Sequence, residues 1–210
     1  MTDHDPIAEL HPGFSSPDAT ATPWAEARTQ LEQAEIFWCR AARRSRGSAG
    51  MSDQELRAVA RGIIDANLYM VLGTADAAGR PWVSPVYYAV AGYREFYWVS
   101  SPQARHSRNI AARPAVSIVV FDSQVPIGTG QGVYMSARAE EVTGADLERG
   151  IDVFSRRSLV HLGQAWTPDD VRGPAGLRLY RATASEHSVL AKDGRPDHRV
   201  VVAMDVEVGA

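Results

Sequence analysis

The spacing of apolar and polar residues becomes regular at about residue 50. Residues 52–55, SDQE, have the form of a capping box, in which a serine and a glutamate satisfy each other's backbone amides. Apolar residues then recur at helical spacing, at Leu56, Val59, Ala60, Ile63 and Ile64. The pattern predicts an amphipathic helix that ends at about Asp65.

Beyond Leu68 the pattern is typical of strands. Residues 69–75 and 80–90 flank the turn sequence DAAG, and residues 94–100 follow as a third strand. The apolar run AVSIVVF, residues 115–121, indicates a strand covered on both faces. Further strands are expected over residues 132–142, 177–190 and 198–208, and Thr143 is expected to cap a helix that runs to about Leu159. The sequence therefore predicts a mainly β fold, an antiparallel barrel of about six or more strands with about three peripheral helices.

Residues 1–50 have a different character. The first part is rich in Pro, Ser, Thr and Asp, which predicts partial disorder, and residues 24–38 favour one helix. The stretch CRAARRSRGSAG that follows is basic, so it could bind RNA or a membrane, but a solvated linker is the simpler interpretation. We expect residues 1–50 to form an N-terminal extension and residues 51–210 to form the barrel domain.

Composition narrows the functional classes. Apolar residues make up 45% of the chain, charged residues 22%, and the net charge is −3, so nucleic acid is not an expected partner. No apolar run approaches the ~18 residues of a membrane span, and a membrane partner is not expected. The lone Cys39 and the absence of a leader pattern favour the cytoplasm. The six histidines are scattered without metal-ligand spacing, so no metal site is expected.

The stretch SSPQARHSRN, residues 100–109, carries the most informative chemistry. Ser101 followed by Pro102 predicts a helix start, with serine as the N-cap. Arg105 and His106 would then lie near the positive end of the helix dipole, where cations are unfavourable unless an anion binds. Free amides, a hydroxyl and basic side chains are what a phosphate needs. A plain surface helix whose arginines face water remains the alternative.

The order of these segments resembles a known family. The texts VLGTADAAGRPWVSPVYYAV, FYWVSSPQARHSRNIAARPAVSIVVF and GVYMSARAEEVTG are similar to the pyridoxamine 5′-phosphate oxidase-like, or FMN-binding, split barrels over about residues 55–160. The resemblance implies FMN as the cofactor, with the deazaflavin coenzyme of some branches as the alternative. It also implies a homodimer with the cofactor in the subunit interface. The aromatic cluster at residues 87–98 independently favours a dimer, because one small barrel cannot bury it together with the apolar strand faces.

The resemblance implies roles for particular positions. The backbone of Ser84, Pro85, Val86 and Tyr87 would lie along the isoalloxazine ring, whereas Ser100, Ser101, Arg105 and His106 would clamp the phosphate. Gln131 would reach the ring from the partner subunit. Pro85 cannot donate to a ladder, so by itself it predicts an edge strand or a bulge.

Two departures from the family shape the functional expectation. Many members carry lysine where this chain has His106, and the C-terminal segment around Arg195, His198 and Arg199 has no tryptophan, which argues against the pyridoxamine-phosphate oxidase activity itself. We expect an FMN-dependent oxidoreductase that acts on a small organic substrate. A deazaflavin-dependent reductase and a non-catalytic flavin- or haem-binding protein are the alternatives. No catalytic residue is named, because the flavin supplies the redox chemistry. The glycine-rich residues 128–132 precede a strand rather than a helix, so they predict a loop near the cofactor and not a dinucleotide fingerprint.

Overall fold

The computed structural model describes residues 51–191, 195 and 198–204. The predicted extension, residues 1–50, lies outside the described residues. The α-helices are α1 (Asp53–Ala66), α2 (Arg105–Ala112) and α3 (Asp146–Val160), and a 3-10 turn spans Pro168–Val171. The strands are β1 (Tyr69–Ala75), β2 (Pro81–Tyr87), β3 (Ala89–Ala91), β4 (Glu95–Ser100), β5 (Ala115–Phe121), β6 (Gly132–Glu141), β7 (Arg178–Leu190) and β8 (Arg199–Val201).

Helix α1 forms where the sequence predicts it. The Ser52 hydroxyl accepts a hydrogen bond from the Glu55 amide at 3.3 Å, and the Glu55 carboxylate accepts one from the Ser52 amide at 2.9 Å. This reciprocal pair confirms the capping box. The five predicted apolar positions, from Leu56 to Ile64, are all buried against the sheet.

All the strands belong to one antiparallel sheet. The order is β2-β1-β5-β6-β7-β4-β3, with β8 paired to β7 beyond the end of β4. The two edge strands β2 and β3 are consecutive in the chain and are separated only by Tyr88. The sheet must therefore curl until its edges approach, which gives a half-barrel with one open seam between β2 and β4. The predicted mainly β, antiparallel split barrel is confirmed.

The interior of the half-barrel is apolar and aromatic. Trp98, Tyr88, Phe96, Met70 and Leu72 have no exposed surface. The hydroxyl of Tyr88 donates to the carbonyl of Ile64 at 2.5 Å, which satisfies a buried polar atom and ties α1 to the inner wall.

Helix α3 covers the outer surface of β4 and β7. Tyr97 and Leu179, which point outward, pack with Ile151 and Phe154 of the helix in one buried cluster. A Cβ added at Gly150 would lie 2.8 Å from the Tyr97 ring and 2.9 Å from a Leu179 methyl group. The helix can approach the sheet this closely only because Gly150 has no side chain.

Apart from Tyr87 at the end of β2, which packs against Phe154 of α3, the outer surface of β2, β1 and β5 has no helix over it among the described elements. We call this surface the open face and define it by the outward residues Tyr69, Val71, Gly73, Val83, Pro85, Ser117, Val119 and Phe121, which cross-strand pairing places on one side. Val83 is 58% exposed and Phe121 45% exposed. The prediction that β5 is covered on both faces is therefore wrong for the single chain, which buries only alternate residues of that strand.

Other predicted boundaries are also wrong, and the single strand predicted over residues 80–90 is two strands, β2 and β3. Thr143 does not cap α3, because a turn with Gly144 at φ +62° follows it and the helix begins at Asp146 after an N-cap at Ala145. The last strand is shorter than expected, since β8 ends at Val201. No helix among the described residues is both long and apolar enough to cross a bilayer.

Candidate functional site

His106 stands at the centre of the candidate site. Its Nδ1 atom lies 3.1 Å from the hydroxyl of Ser84 on β2, and its Nε2 atom lies 2.8 Å from the hydroxyl of Ser100 at the end of β4. Because β2 and β4 share no ladder, this imidazole connects the two sides of the open seam. The structure thus brings Ser84 together with Ser100 and His106, which lie well beyond it in the sequence.

The surroundings of His106 differ from those of a solvent-facing cation. The residue is 9% exposed, and burial lowers the pKa of its imidazole. Loss of hydration disfavours the charged form, so the ring is neutral near pH 7 when no anion compensates it. Both ring nitrogens are already engaged with serine hydroxyls. Direct contact of His106 with a phosphate stays a prediction.

The beginning of α2 lies later in the chain than predicted. Ser101 and Pro102 form a turn in which the Ala104 amide donates to the Ser101 carbonyl at 3.0 Å, and the helix starts at Arg105. The Ser101 hydroxyl accepts from the Gln103 amide at 3.1 Å, so this serine caps the turn and not the helix. The N-cap residue is Ala104, which has no capping side chain. The first amides of α2 therefore have no side-chain acceptor.

Arg105 lies on an aromatic ring at the edge of the site. Its guanidinium carbon is 4.3 Å from the ring centroid of Trp82, a cation–π geometry, and the indole Nε1–H of Trp82 donates to the Ser84 hydroxyl at 3.0 Å. Within the described part of the chain, Arg105 forms no ion pair with a carboxylate. Trp82 was not among the site residues predicted from the sequence. The signal available was its spacing of two residues from Ser84, which places both side chains on one side of β2.

A buried amide fixes α2 against the strands. The Asn109 side chain donates to the Thr74 hydroxyl at 3.0 Å, and that hydroxyl donates to the Trp82 carbonyl at 3.3 Å. Asn109 is 4% exposed and Thr74 6% exposed, so water does not compete for these bonds. This support, also missed by sequence analysis, holds the helix start beside Ser84 and Ser100.

The remaining predicted residues lie away from His106. Tyr87 is three positions beyond Ser84 along β2, or ~10 Å at the usual rise of a strand. Its ring contacts Tyr69, Phe154 and His161 edge-on, and burial raises the pKa of its hydroxyl. Pro85 lies on the edge strand β2, so its predicted edge position is confirmed.

Val86 and Gln131 complete the predicted set. Val86 is half-buried opposite Met70. Gln131 is half-buried just before β6, at the same end of the sheet as Tyr69, and its Oε1 atom is buried without a hydrogen-bond partner among the described residues. An orphaned acceptor of this kind is costly unless a ligand or another chain satisfies it.

The glycine-rich stretch before β6 has an ordinary turn structure. The Thr129 amide donates to the Pro126 carbonyl at 3.0 Å, with Gly128 at φ +85°, which is a type II arrangement. It does not open a helix, in agreement with the sequence-based interpretation. Within the described ranges, no group of three or more His, Cys, Asp or Glu side chains could hold a metal ion.

Comparison with known proteins identifies the family. Residues 56–191 match the family described as pyridoxamine 5′-phosphate oxidase, and this match covers more than half of the chain. The chain belongs to the pyridoxamine 5′-phosphate oxidase family. Among curated proteins, no match was found for the sequence.

Solved structures of other proteins are similar in fold to this chain. ChuZ of Campylobacter jejuni matches with a TM-score of 0.59 at 14% identity, over 83% of this chain and 70% of that chain. The heme binding protein of Mycobacterium smegmatis gives 0.55 at 18% identity, over 73% of this chain but only 59% of its own length. HutZ, the heme storage protein of Vibrio cholerae, gives 0.52 at 20% identity, over 65% of this chain and 94% of that chain. At these identities the likeness shows the shared split-barrel fold.

Proposed function

We propose that this member of the pyridoxamine 5′-phosphate oxidase family binds FMN at the start of α2 and along β2. As a homodimer it would use the flavin to oxidise or reduce a small organic substrate. The observation that carries the proposal is the convergence of Ser100, Arg105 and His106 beside the edge strand. The lone Cys39 supports work in a reducing cytoplasm.

The start of α2 fits a phosphate. Its first amides have no side-chain cap, the helix dipole is positive there, and acidic residues are absent from its first turn. Arg105 is exposed and lies close enough to Trp82 to be held in one orientation. A dianion would satisfy the helix amides and the guanidinium together, by charge-assisted hydrogen bonds.

The open face fits a planar ring and a second subunit. Gly73 and Ser117 are paired at its centre, and a Cβ at Gly73 would lie 2.4 Å from the Ser117 hydroxyl, so the two strands pack with little side-chain volume there. On its outer edge β2 has no strand neighbour among the described strands, which leaves alternate backbone groups available to a ligand. A second copy of the chain would cover Val83 and Phe121 and could satisfy the buried oxygen of Gln131.

The positions of these groups assign a role to each of them. A bound flavin supplies the redox chemistry. Arg105 and the first amides of α2 bind the phosphate, the β2 backbone orients the ring, and the second copy excludes water from the cleft. Pro85 has no N–H, so the edge strand lacks one backbone hydrogen-bond donor at that position.

Binding measurements with two ligands test the proposal. Arg105→Ala should weaken FMN binding by roughly ten- to a hundredfold, the loss expected for one charge-assisted hydrogen bond. Riboflavin, which lacks the phosphate, should bind the variant and the wild type equally. Arg113→Ala, at the other end of the same helix, is the matched control and should leave both affinities unchanged. Equal weakening of both ligands, or of neither, would show that α2 does not hold the phosphate.

Haem is a second candidate. The observation that favours it is the position of His161, an exposed residue whose ring lies 6.4 Å from that of Tyr87 at the end of β2, and partial burial lowers the pKa of this imidazole. A neutral imidazole can ligate iron. The absorption spectrum of the co-purified ligand distinguishes the cofactors: flavin gives two broad bands, deazaflavin one, and haem a sharp Soret band. His161→Ala should remove a Soret band but leave flavin binding intact. Oxidation of a reduced nicotinamide would then separate an enzyme from a binding protein.

A further inference from the structure

The candidate site contains a chain of three hydrogen bonds that runs from β2 through α2 to β4. The atoms in order are Trp82 Nε1, Ser84 Oγ, the two ring nitrogens of His106, and Ser100 Oγ, at separations of 3.0, 3.1 and 2.8 Å. A hydroxyl can donate or accept, and so can each nitrogen of an imidazole that gains or loses a proton. The direction of these hydrogen bonds is therefore set by the group that can only donate or only accept.

Trp82 is that group. An indole N–H only donates, so the Ser84 oxygen must accept from Trp82. Without Trp82 the surroundings of His106 would be symmetrical, because one serine hydroxyl faces each ring nitrogen. Accepting one hydrogen bond polarises a hydroxyl and makes it a better donor, so Ser84 preferentially donates to Nδ1. The ring proton of neutral His106 then resides on Nε2 and is donated to the Ser100 oxygen.

The consequence appears at Ser100. If His106 carries its proton on Nε2, Ser100 accepts and its own hydroxyl hydrogen is free. If the proton were on Nδ1, Ser100 would have to donate its hydroxyl hydrogen to Nε2. Among the described residues His106 is the only hydrogen-bond partner found for the Ser100 hydroxyl. A donor is thus available at the half-buried end of β4, a few residues before the start of α2.

We propose that Trp82 is a positioning residue that acts through Ser84 to place the His106 proton on Nε2, and so leaves the Ser100 hydroxyl free to donate to an anionic oxygen bound at the start of α2. The identity of that anion as the FMN phosphate rests on the proposed function. The same indole ring supports Arg105 at 4.3 Å. One side chain therefore orients two donors of the clamp, one through its ring face and the other through its N–H.

The tautomer of His106 can be measured in the protein without ligand. Spectra of protein labelled with ¹⁵N-histidine, with the resonance assigned by His106→Asn, should show the Nε2–H form in the wild type. Trp82→Phe keeps an aromatic ring under Arg105 but removes the N–H, and should give a mixture of the two forms. Trp166→Phe, in the aromatic cluster around Phe154, is the matched control and should not change the tautomer. An Nδ1–H wild type, or a Trp82→Phe variant that keeps the wild-type tautomer, would overturn the proposal.

Substitutions at Ser84 distinguish the effect of the hydrogen-bond chain from the effect of the cation–π contact. Ser84→Ala breaks the chain but leaves Trp82 beneath Arg105, and should weaken FMN binding about tenfold without affecting riboflavin. Ser84→Thr retains a hydroxyl and should restore both the tautomer and the affinity. If Ser84→Ala changes neither the tautomer nor FMN binding, the proposed action of Trp82 through Ser84 is wrong although FMN still binds. If the tautomers behave as expected but the wild type does not bind FMN, the action of Trp82 on His106 stands and the proposed function fails.

Discussion

Two regions on the outside of one sheet differ in what covers them. Over β4 and β7, helix α3 packs so closely that Gly150 is needed at the contact, and Tyr97 and Leu179 have no exposed surface. Over β2, β1 and β5, the open face leaves Tyr69 59% exposed and Val83 58% exposed. Both surfaces are apolar, but only the first is completed by an element of the described chain.

The polar groups follow the same division. On the covered side, Arg181 lies against Glu95, Glu140 and Asp146 at 3.3, 2.6 and 3.0 Å, so its positive charge is compensated, although its buried Nε atom has no hydrogen-bond partner among the described residues. On the side of β2, Arg105 has no carboxylate partner among the described residues, and Gln131 has an orphaned oxygen. A region whose apolar surface is covered and whose charges are compensated serves the fold, whereas a region with exposed apolar surface and an uncompensated cation is suited to binding.

The largest effect is expected on the open face. Val83→Lys would place an unpaired charge in the proposed dimer interface, which should weaken association by about 3 kcal/mol, roughly a hundredfold. Light scattering should report about twice 22.8 kDa for the wild type and 22.8 kDa for the variant. Glu148→Lys, on the exposed surface of α3, should remain dimeric. A wild type that is monomeric while it binds cofactor tightly would remove the shared-cleft proposal.

The covered region should respond in stability rather than association. Gly150→Ala forces a methyl group against Tyr97, and overpacking of this kind should destabilise the protein by about 2 kcal/mol. Gly62→Ala in α1 meets nothing within 4 Å, so the better helix propensity of alanine should stabilise the protein by about 0.5–1 kcal/mol. Urea unfolding midpoints measure both. Equal effects of the two substitutions would contradict the close approach of α3.

The charge network on the covered side should contribute less to the free energy of unfolding than the packing of α3 at Gly150. Glu95→Gln removes the 2.8 Å bond to Arg149 and one partner of the mostly buried Arg181, and should cost about 1–2 kcal/mol near pH 7. The Arg149 hydrogen bond lowers the pKa of Glu95. Its contribution is therefore present above the ordinary carboxyl pKa and is lost as pH falls through the lowered value, so the stabilities of wild type and variant should converge only below the ordinary carboxyl pKa. Asp152→Asn, in an exposed pair, is the control and should have little effect.

The smallest effect is expected from the buried histidines. Burial lowers the pKa of both His106 and His187 in the folded protein. The unfolded chain then binds more protons than the folded one below about pH 6.5, so stability is lost as pH falls from there through the lowered values. The Tm of the protein without ligand should drop between about pH 7.5 and about pH 5.5. The double variant His106→Asn, His187→Asn should show a smaller drop, and an identical drop would contradict this assignment.

Local sequence determined the elements whose signals lie within a few residues. The capping box of α1 closes between Ser52 and Glu55, and the turn at Asp76 closes on the Ala78 and Arg80 amides. The absence of an N–H at Pro85 was sufficient to predict an edge strand or a bulge, and the structure shows the edge strand. Each of these follows from covalent geometry or from a hydrogen bond between near neighbours, so no knowledge of the rest of the fold is needed.

Tertiary structure decided what depends on distant partners. The continuous apolar run of β5 indicated cover on both faces, but only the curl of the sheet and the position of α3 determine which face is left open. Likewise, the residue types of the stretch 100–109 indicated an anion site, although α2 begins after Ala104. Whether His106 faces water or bridges two serines is set by the pairing of β2 with β1 and of β4 with β7. That pairing brings Ser84 of β2 and Ser100 of β4 to opposite sides of the His106 ring, and no local pattern encodes this approach.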